Sequence, residues 1–502
     1  MLQQLIIIIV VLPLMASLII TCTGSWSKKF VFPLAFTTMA ICFAGACLLL
    51  QIVLNTGPIE YWLGSWPPPM GISFRVDAFG ALMLVLILFL GTMTAGWAKK
   101  SVEKELPEKE VLFWALYLLL ITGLAGMIAT GDLFNLFVLL EVASLTSYAL
   151  VAMGNRQSVV AGFRYLLIGT VGACFYLLGV GYLYLATGTL NMADLAVLLP
   201  KIYTSNTVMT AFVFILIGFS IKIALFPFHS WQPDAYTFAP SAATILISTA
   251  VAKTFAYAMV RIVFSVFTLG FLKAYLSIFQ AFVWLGAVAI LAGSLFAIVQ
   301  NDLKRMLAYS SISNVGYIVL GVGLAVTSRM GLIPAVVHMV NHAVIKGAMF
   351  MAACGFIHVM AARQINRLNG IWYKMPLTVI ILIVSSLSMI GLPPGAGFVS
   401  KWYLIQAAVE AGQYGFVAII FISTLLMLVY FWRLIESMYI RPNGSHNPDK
   451  SNKKDVELPP AMLIPGIAMA SLTFLLGLIW ISGALHPLLN QINLEMGLEV
   501  IQ

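Results

Sequence analysis

Charge is scarce in this sequence. Of 502 residues, 27 are Lys or Arg and 18 are Asp or Glu, 9% in all, against roughly 25% in soluble domains. So few charges cannot cover a water-facing surface. This excludes the two or three soluble domains that the length alone would suggest, and with them disorder, collagen and coiled coil. Cysteine is scarce too. Cys22, Cys42, Cys47, Cys174 and Cys354 are odd in number, have no C-x-x-C spacing and sit mostly in apolar runs. They read as small apolar residues, neither disulfides nor iron–sulfur ligands. A G-x-G-x-x-G fingerprint is also missing, so no dinucleotide site is expected. What is present is 61% hydrophobic residues and a mean hydropathy of +1.01. The fold class is an all-α polytopic membrane protein.

Apolar runs of about 17–25 residues are the unit to count. Fourteen are found: 3–21, 31–54, 78–97, 111–130, 133–153, 162–187, 208–228, 240–264, 274–299, 306–326, 331–360, 376–408, 414–438 and 461–484. The first lacks a basic segment before it and a small-residue cleavage site, so it reads as a retained span. The longest polar stretch is 441–458. Loops after odd-numbered spans hold 17 Lys and Arg, among them Lys304. Loops after even-numbered spans hold five: Arg75, Lys201, Arg261, Lys273 and Arg329. By the positive-inside rule the odd loops are cytoplasmic and both termini lie outside. The net charge of +9 is thereby topological and needs no nucleic-acid partner.

Five cations remain inside spans: Lys222, Lys253, Lys346, Lys401 and Arg433. A charge at the centre of a spanning helix costs roughly 2.5–3.5 kcal/mol on insertion scales, so such residues face protein or water. Arg433, near a span end, can snorkel, with Glu436 three residues on as partner. The lysines lie deeper, in spans 7, 8, 11 and 12. A lysine taken out of water can take up and release a proton, which makes these four candidate stations on a proton path. One acid, Glu141, is plainly mid-membrane, and a lysine partner would hold it ionised. In span 11, His338, His342 and Lys346 recur at i, i+4 and i+8, on one helix face, and histidine relays protons readily. A haem would need facing histidine pairs on adjacent helices, and the spacing offers none. No metal site, catalytic residue or cofactor is expected.

Two spans carry breakers. Pro227 stands near the end of span 7, in GFSIKIALFPFHSW, and removes the hydrogen bond to the Ile223 carbonyl, next to Lys222. Pro393 and Pro394 interrupt span 12, in IGLPPGAGFVSKWY, seven residues before Lys401. Irregular backbone at membrane depth is tolerated where protein or water receives it, and paired breaks point to an ion site. Spans 7 and 12 are five apart. The expected organisation is 1–110 (spans 1–3), then two inverted five-helix repeats, 111–265 (spans 4–8) and 266–440 (spans 9–13), then 441–502 with a cytoplasmic loop and span 14.

At these residues the chain resembles the antiporter-like subunits shared by respiratory complex I, membrane-bound hydrogenases and Mrp-type multisubunit Na⁺/H⁺ antiporters. The resemblance rests on 132–148 with Glu141, on IKIALFPFHSWQPDAYTFAPSAATILIS (221–248), LKRMLAYSSISNVGYI (303–318), HMVNHAVIKGAMF (338–350) and GLPPGAGFVSKWY (391–403). It covers spans 3–13. The span-5 stretch is most similar to the D-type protein of the Mrp antiporters. Lys401 stands where one complex I paralogue has glutamate. The chain also lacks the long C-terminal extension of the largest Mrp protein.

The resemblance implies a fourteen-span proton translocator in the plasma membrane of a prokaryote, packed against other membrane subunits and lipid. It implies an ion pair of Glu141 with Lys222, and a polar axis continued by Lys253, His342, Lys346 and Lys401. Protons would then enter by spans 7 and 8, pass His338 and His342, and leave near the span-12 break. Sodium prefers oxygen ligands, which this lysine-rich axis lacks, so Na⁺ would cross elsewhere in the complex. The alternatives are the proton-pumping arm of a redox enzyme, or a scaffold in which the lysines are dispensable.

Overall fold

The structure, a computed structural model, describes residues 3–24, 26–439 and 456–498. Most of the long polar loop, with Arg441, Lys450, Lys453 and Lys454, lies outside the described residues. Among those described, twelve helices are long and apolar enough to cross a membrane, and two shorter apolar ones, Asn206–Lys222 and Pro376–Ile390, accompany them. Each short helix continues beyond a break into a second half, and the helices correspond one for one to the fourteen expected spans.

The chain opens with α1 (Gln4–Thr23) and α2 (Val31–Thr56). The connector that follows pairs β1 (Ile59–Trp62) with β2 (Ser73–Val76), antiparallel, Ile59 opposite Val76; the span count does not anticipate this hairpin. Then come α3 (Ala78–Glu105), α4 (Glu110–Ala129), α5 (Leu133–Ala152), α6 (Arg156–Thr187) and the short α7 (Met192–Leu198). Span 7 is α8 (Asn206–Lys222) plus α9 (Trp231–Phe238). Span 8 is α10 (Ser241–Leu246), a π-helical turn Ile247–Val251 and α11 (Ala252–Arg261). After α12 (Thr268–Ala274), spans 9–11 are α13 (Leu276–Ile298), α14 (Leu303–Leu324) and α15 (Ile333–Met360). Span 12 is α16 (Pro376–Ile390) plus α17 (Ala396–Glu410). The chain ends with α18 (Tyr414–Tyr439), α19 (Pro460–Ile481) and the amphipathic α20 (His486–Glu495).

Helix starts follow side-chain chemistry. Asp77, Asp132, Asn155 and Asp302 each accept a backbone N–H in the first turn of the helix they open, satisfying donors that would otherwise be orphaned. The most buried spans are span 8 and α14, whereas α2 and α18 are only one-third buried. The outward faces are apolar, as lipid requires: Phe163, Leu167, Leu178 and Leu185 on α6 are all at least half exposed.

Three expectations need correction. Span 7 does not end at residue 228; its second half is α9, whose polar sequence WQPDAYTF hides it from a hydropathy count. The span-7 helix also stops at Lys222, ahead of Pro227. Ile223 is already its C-cap, and the carbonyl that is rescued is Ile221, which accepts from the Trp231 indole at 2.9 Å. Finally, Arg261 and Lys304, counted by hydropathy as loop cations, are buried within helices at 4% and 2% exposure.

Candidate functional site

The buried polar groups line up through the centre of the bundle. Glu141 on α5 and Lys222 at the end of α8 stand 3.7 Å apart. That is an ion pair but too long for a hydrogen bond. Lys222 instead donates to Ser144 Oγ at 2.8 Å and Tyr148 Oη at 3.2 Å. Glu141, Ser144 and Tyr148 are spaced i, i+3 and i+7, one face of α5. That spacing is the sequence signal that would have found the two hydroxyls. On its far side the Lys222 ammonium lies 5.7 Å from the centre of the Phe255 ring, two residues along α11 from Lys253.

Lys253 is 1% exposed and donates to the Ser248 carbonyl. That carbonyl belongs to the π-helical turn, where the regular i to i−4 ladder is interrupted. Lys346 on α15 donates to the Leu307 carbonyl at 2.8 Å and Ser310 Oγ at 2.9 Å, both on α14. His342 lies within electrostatic reach of both lysines, and among the described residues its two ring nitrogens have no hydrogen-bond partner. Its ring stacks on His338 at 6.0 Å and 10°. His338 Nδ1 meets Ser400 Oγ at 3.0 Å, one residue before Lys401. Lys401 donates to the Ile390 carbonyl at 2.8 Å, the last carbonyl of the broken half-helix α16, where unmet acceptors and the negative end of the helix dipole coincide.

The sequence-predicted residues Glu141, Lys222, Lys253, His338, His342, Lys346 and Lys401 therefore all lie in the interior, with direct contacts joining Glu141 to Lys222 and His338 to His342. Arg433 is not part of this set. It caps α13, donating to the Ile298 and Gln300 carbonyls. The prolines act at one remove. α16 ends on Gly391, whose φ of +100° is open to glycine and strained for other residues, and Pro393 and Pro394 follow in the irregular link to α17. A Cβ added at Gly391 would meet Lys401 Cδ at 3.3 Å.

A second buried charge cluster escapes the hydropathy reading. Arg261 pairs with Asp77 at 3.1 Å and donates to Tyr257 Oη at 2.6 Å. Glu495 on α20 accepts from the Ala78 N–H at 2.8 Å beside them. Among the described residues no group of three or more His, Cys, Asp and Glu could hold a metal ion.

A row of amines, imidazoles and hydroxyls with one carboxylate can pass protons and has little with which to bind a bare cation. Residues 130–427 match the family described as NADH:quinone oxidoreductase/Mrp antiporter, TM. The chain is 43% identical over 483 residues to the NADH-quinone oxidoreductase N protein of Desulforudis audaxviator, covering 94% of this chain and 95% of that one. It is 28% identical to the D protein of the Na⁺/H⁺ antiporter of Bacillus subtilis, covering 95% and 94%. Among solved structures it superposes on a chain of the membrane-bound sulfane sulfur reductase, an archaeal respiratory membrane complex, with a TM-score of 0.89 and 30% identity over 98% of both chains.

Proposed function

The chain belongs to the NADH:quinone oxidoreductase/Mrp antiporter family of membrane proteins, and from that premise we propose that it translocates protons as one subunit of a larger membrane complex. The observation that supports this reading is the set of buried polar groups running from the Glu141–Lys222 pair to Lys401. Apart from the loose pairing of Lys222 with Glu141, the deep lysines are held by neutral hydroxyls or backbone carbonyls, which favour neither permanent charge nor permanent neutrality. Opening of the loose Glu141–Lys222 pair changes the affinity of the lysine for its proton and gates the first transfer. The membrane potential and the partner subunits set the direction.

In the first reading the complex exchanges Na⁺ for H⁺, with sodium crossing elsewhere, in the plasma membrane of a prokaryote and with both termini outside. This makes the chain part of a transporter rather than an enzyme. Two inverted units, 111–265 and 266–440, belong to the same reading and are supported by the breaks, each of which falls in the fourth span of its unit. A second reading, a proton-pumping arm of a redox complex, is favoured by the 43% identity to a quinone oxidoreductase protein. Vesicles holding the intact complex separate the two. The first expects acidification or alkalinisation on a Na⁺ jump, the second only on addition of an electron donor. In either case Glu141→Ala or Lys222→Ala should abolish the pH change, and a near-normal change would refute the gate.

A further inference from the structure

A row of bases this deeply buried needs a door on the odd-loop side. A cavity of about 540 Å³ opens there. Every connector that lines it follows an odd-numbered span: 105–109 after α3, 153–158 after α5, 237–241 between spans 7 and 8, and Arg363 after α15. Lys304, in the first turn of α14, also lines this cavity and is 2% exposed. It donates to the Ala239 carbonyl at 2.8 Å, and among the described residues no carboxylate lies within ion-pair distance of it. A cation in the first turn also faces the positive end of its own helix dipole. Burial, dipole and want of a counter-ion make this a poor place for a structural charge.

We propose that Lys304 is the proton-loading residue on this side, taking protons from the cavity and delivering them toward Lys346 along the first two turns of α14. Lys346 donates to Leu307 and Ser310, three and six residues beyond Lys304 on the same helix. At 1.5 Å per residue that is a rise of about 9 Å, a distance that one or two waters span. Polar groups lie along the way. Thr237 on α9 lines the cavity, and among the described residues its buried hydroxyl has no hydrogen-bond partner. Gln232, five residues earlier on the same half-helix, is buried as well. α9 packs directly on α14. A buried hydroxyl without a protein partner is normally satisfied by ordered water. The groups facing Lys304 are Glu105, Cys354, Asp302 and Arg363, with Glu108 and Lys109 at the cavity rim. Asp302 is engaged by Arg363 at 2.5 Å and Glu105 by the Ser241 N–H at 2.9 Å, so among the described residues the Lys304 amine at the floor keeps only the Ala239 carbonyl as a hydrogen-bond partner.

The inference rests on the proton-translocating reading, and the test separates the two. Inverted vesicles holding the intact complex present the odd-loop side to the medium, and proton uptake is followed while the medium pH is varied. Lys304→Gln should slow uptake about tenfold or more in complexes that assemble normally. Lys304→Arg keeps the charge and the donor but does not release its proton, and should be equally slow. Lys304→His should work at acid medium pH and fail as pH rises through about 6.5. Parent-like uptake in Lys304→Arg would overturn the proposal. If that variant does not assemble, a Lys304→His profile unchanged from the parent would overturn it. Lys222→Ala is the companion control. If it is inactive while Lys304→Arg is normal, only the entrance is wrong; if it is also normal, the translocation reading falls.

Discussion

Lys253 shows what the sequence revealed of a single residue and what it hid. Its depth in span 8 was legible because one charge interrupts a long apolar run. Its partner was not, because a backbone carbonyl in a π-helical turn has no signature in side-chain pattern. The consequence is specific. Lys253→Met keeps the stem's volume and removes the charge, so assembly should survive, while proton transfer falls by about a hundredfold; flux through the intact complex measures it. Arg261 is the opposite case. It lies at the edge of a span, and only the fold shows that Asp77, 184 positions away, is its counter-ion. Arg261→Met would leave Asp77 buried and unpaired at a cost of roughly 3–5 kcal/mol, read as a lowered melting temperature of the purified complex. Glu495, next to this pair and outside the spans, has its pKa raised above the usual carboxylate value, first by burial and then by Asp77. A raised folded-state value means the stabilisation is complete below the unfolded value and is lost as pH climbs through the folded one. The docking of α20 should therefore be firmest in acid and loosen as pH rises. Glu495→Gln, which keeps an acceptor for the Ala78 N–H, should abolish that dependence in hydrogen exchange at the start of α3.

Among the elements, the two breaks were found from proline and glycine, yet neither lies where proline alone would put it. α8 stops at Lys222 because its last carbonyls find the Trp231 indole and the following turn. α16 stops at Gly391 because only glycine adopts that backbone readily. What holds the second break shut is α19. A Cβ on Gly477 would come within 1.9 Å of the Pro394 carbonyl and 2.9 Å of Gly395, so this helix lies directly on the irregular link. Gly477→Ala must displace the link. The expected loss is about 1–3 kcal/mol, together with slowed proton transfer, measurable as thermal stability and flux on the same sample. α9 escaped the span count because it is short and polar, although its Pro233 and Asp234, in the first turn, suit a helix start.

At the scale of the whole molecule, the scarcity of charge drew the outline correctly: fourteen spans and a handful of interior charges. Taking Arg261 and Lys304 out of the loops leaves 16 cations on odd connectors against four on even ones, so the orientation argument keeps its force. It can be checked with a membrane-impermeant thiol reagent. Trp66→Cys, in the exposed connector of the hairpin, should label in intact cells, and Lys100→Cys only in inverted vesicles. The row of bases has a further consequence. Four lysines share one carboxylate, Glu141, and their remaining partners are neutral. Loading any one of them raises the cost of loading the next, because like charges in a poorly screened interior repel over many ångströms. The row therefore has a small capacity and works as a queue. A proton admitted at one end makes departure from the other more favourable, so two distant sites sense each other through occupancy, with no helix required to move between them.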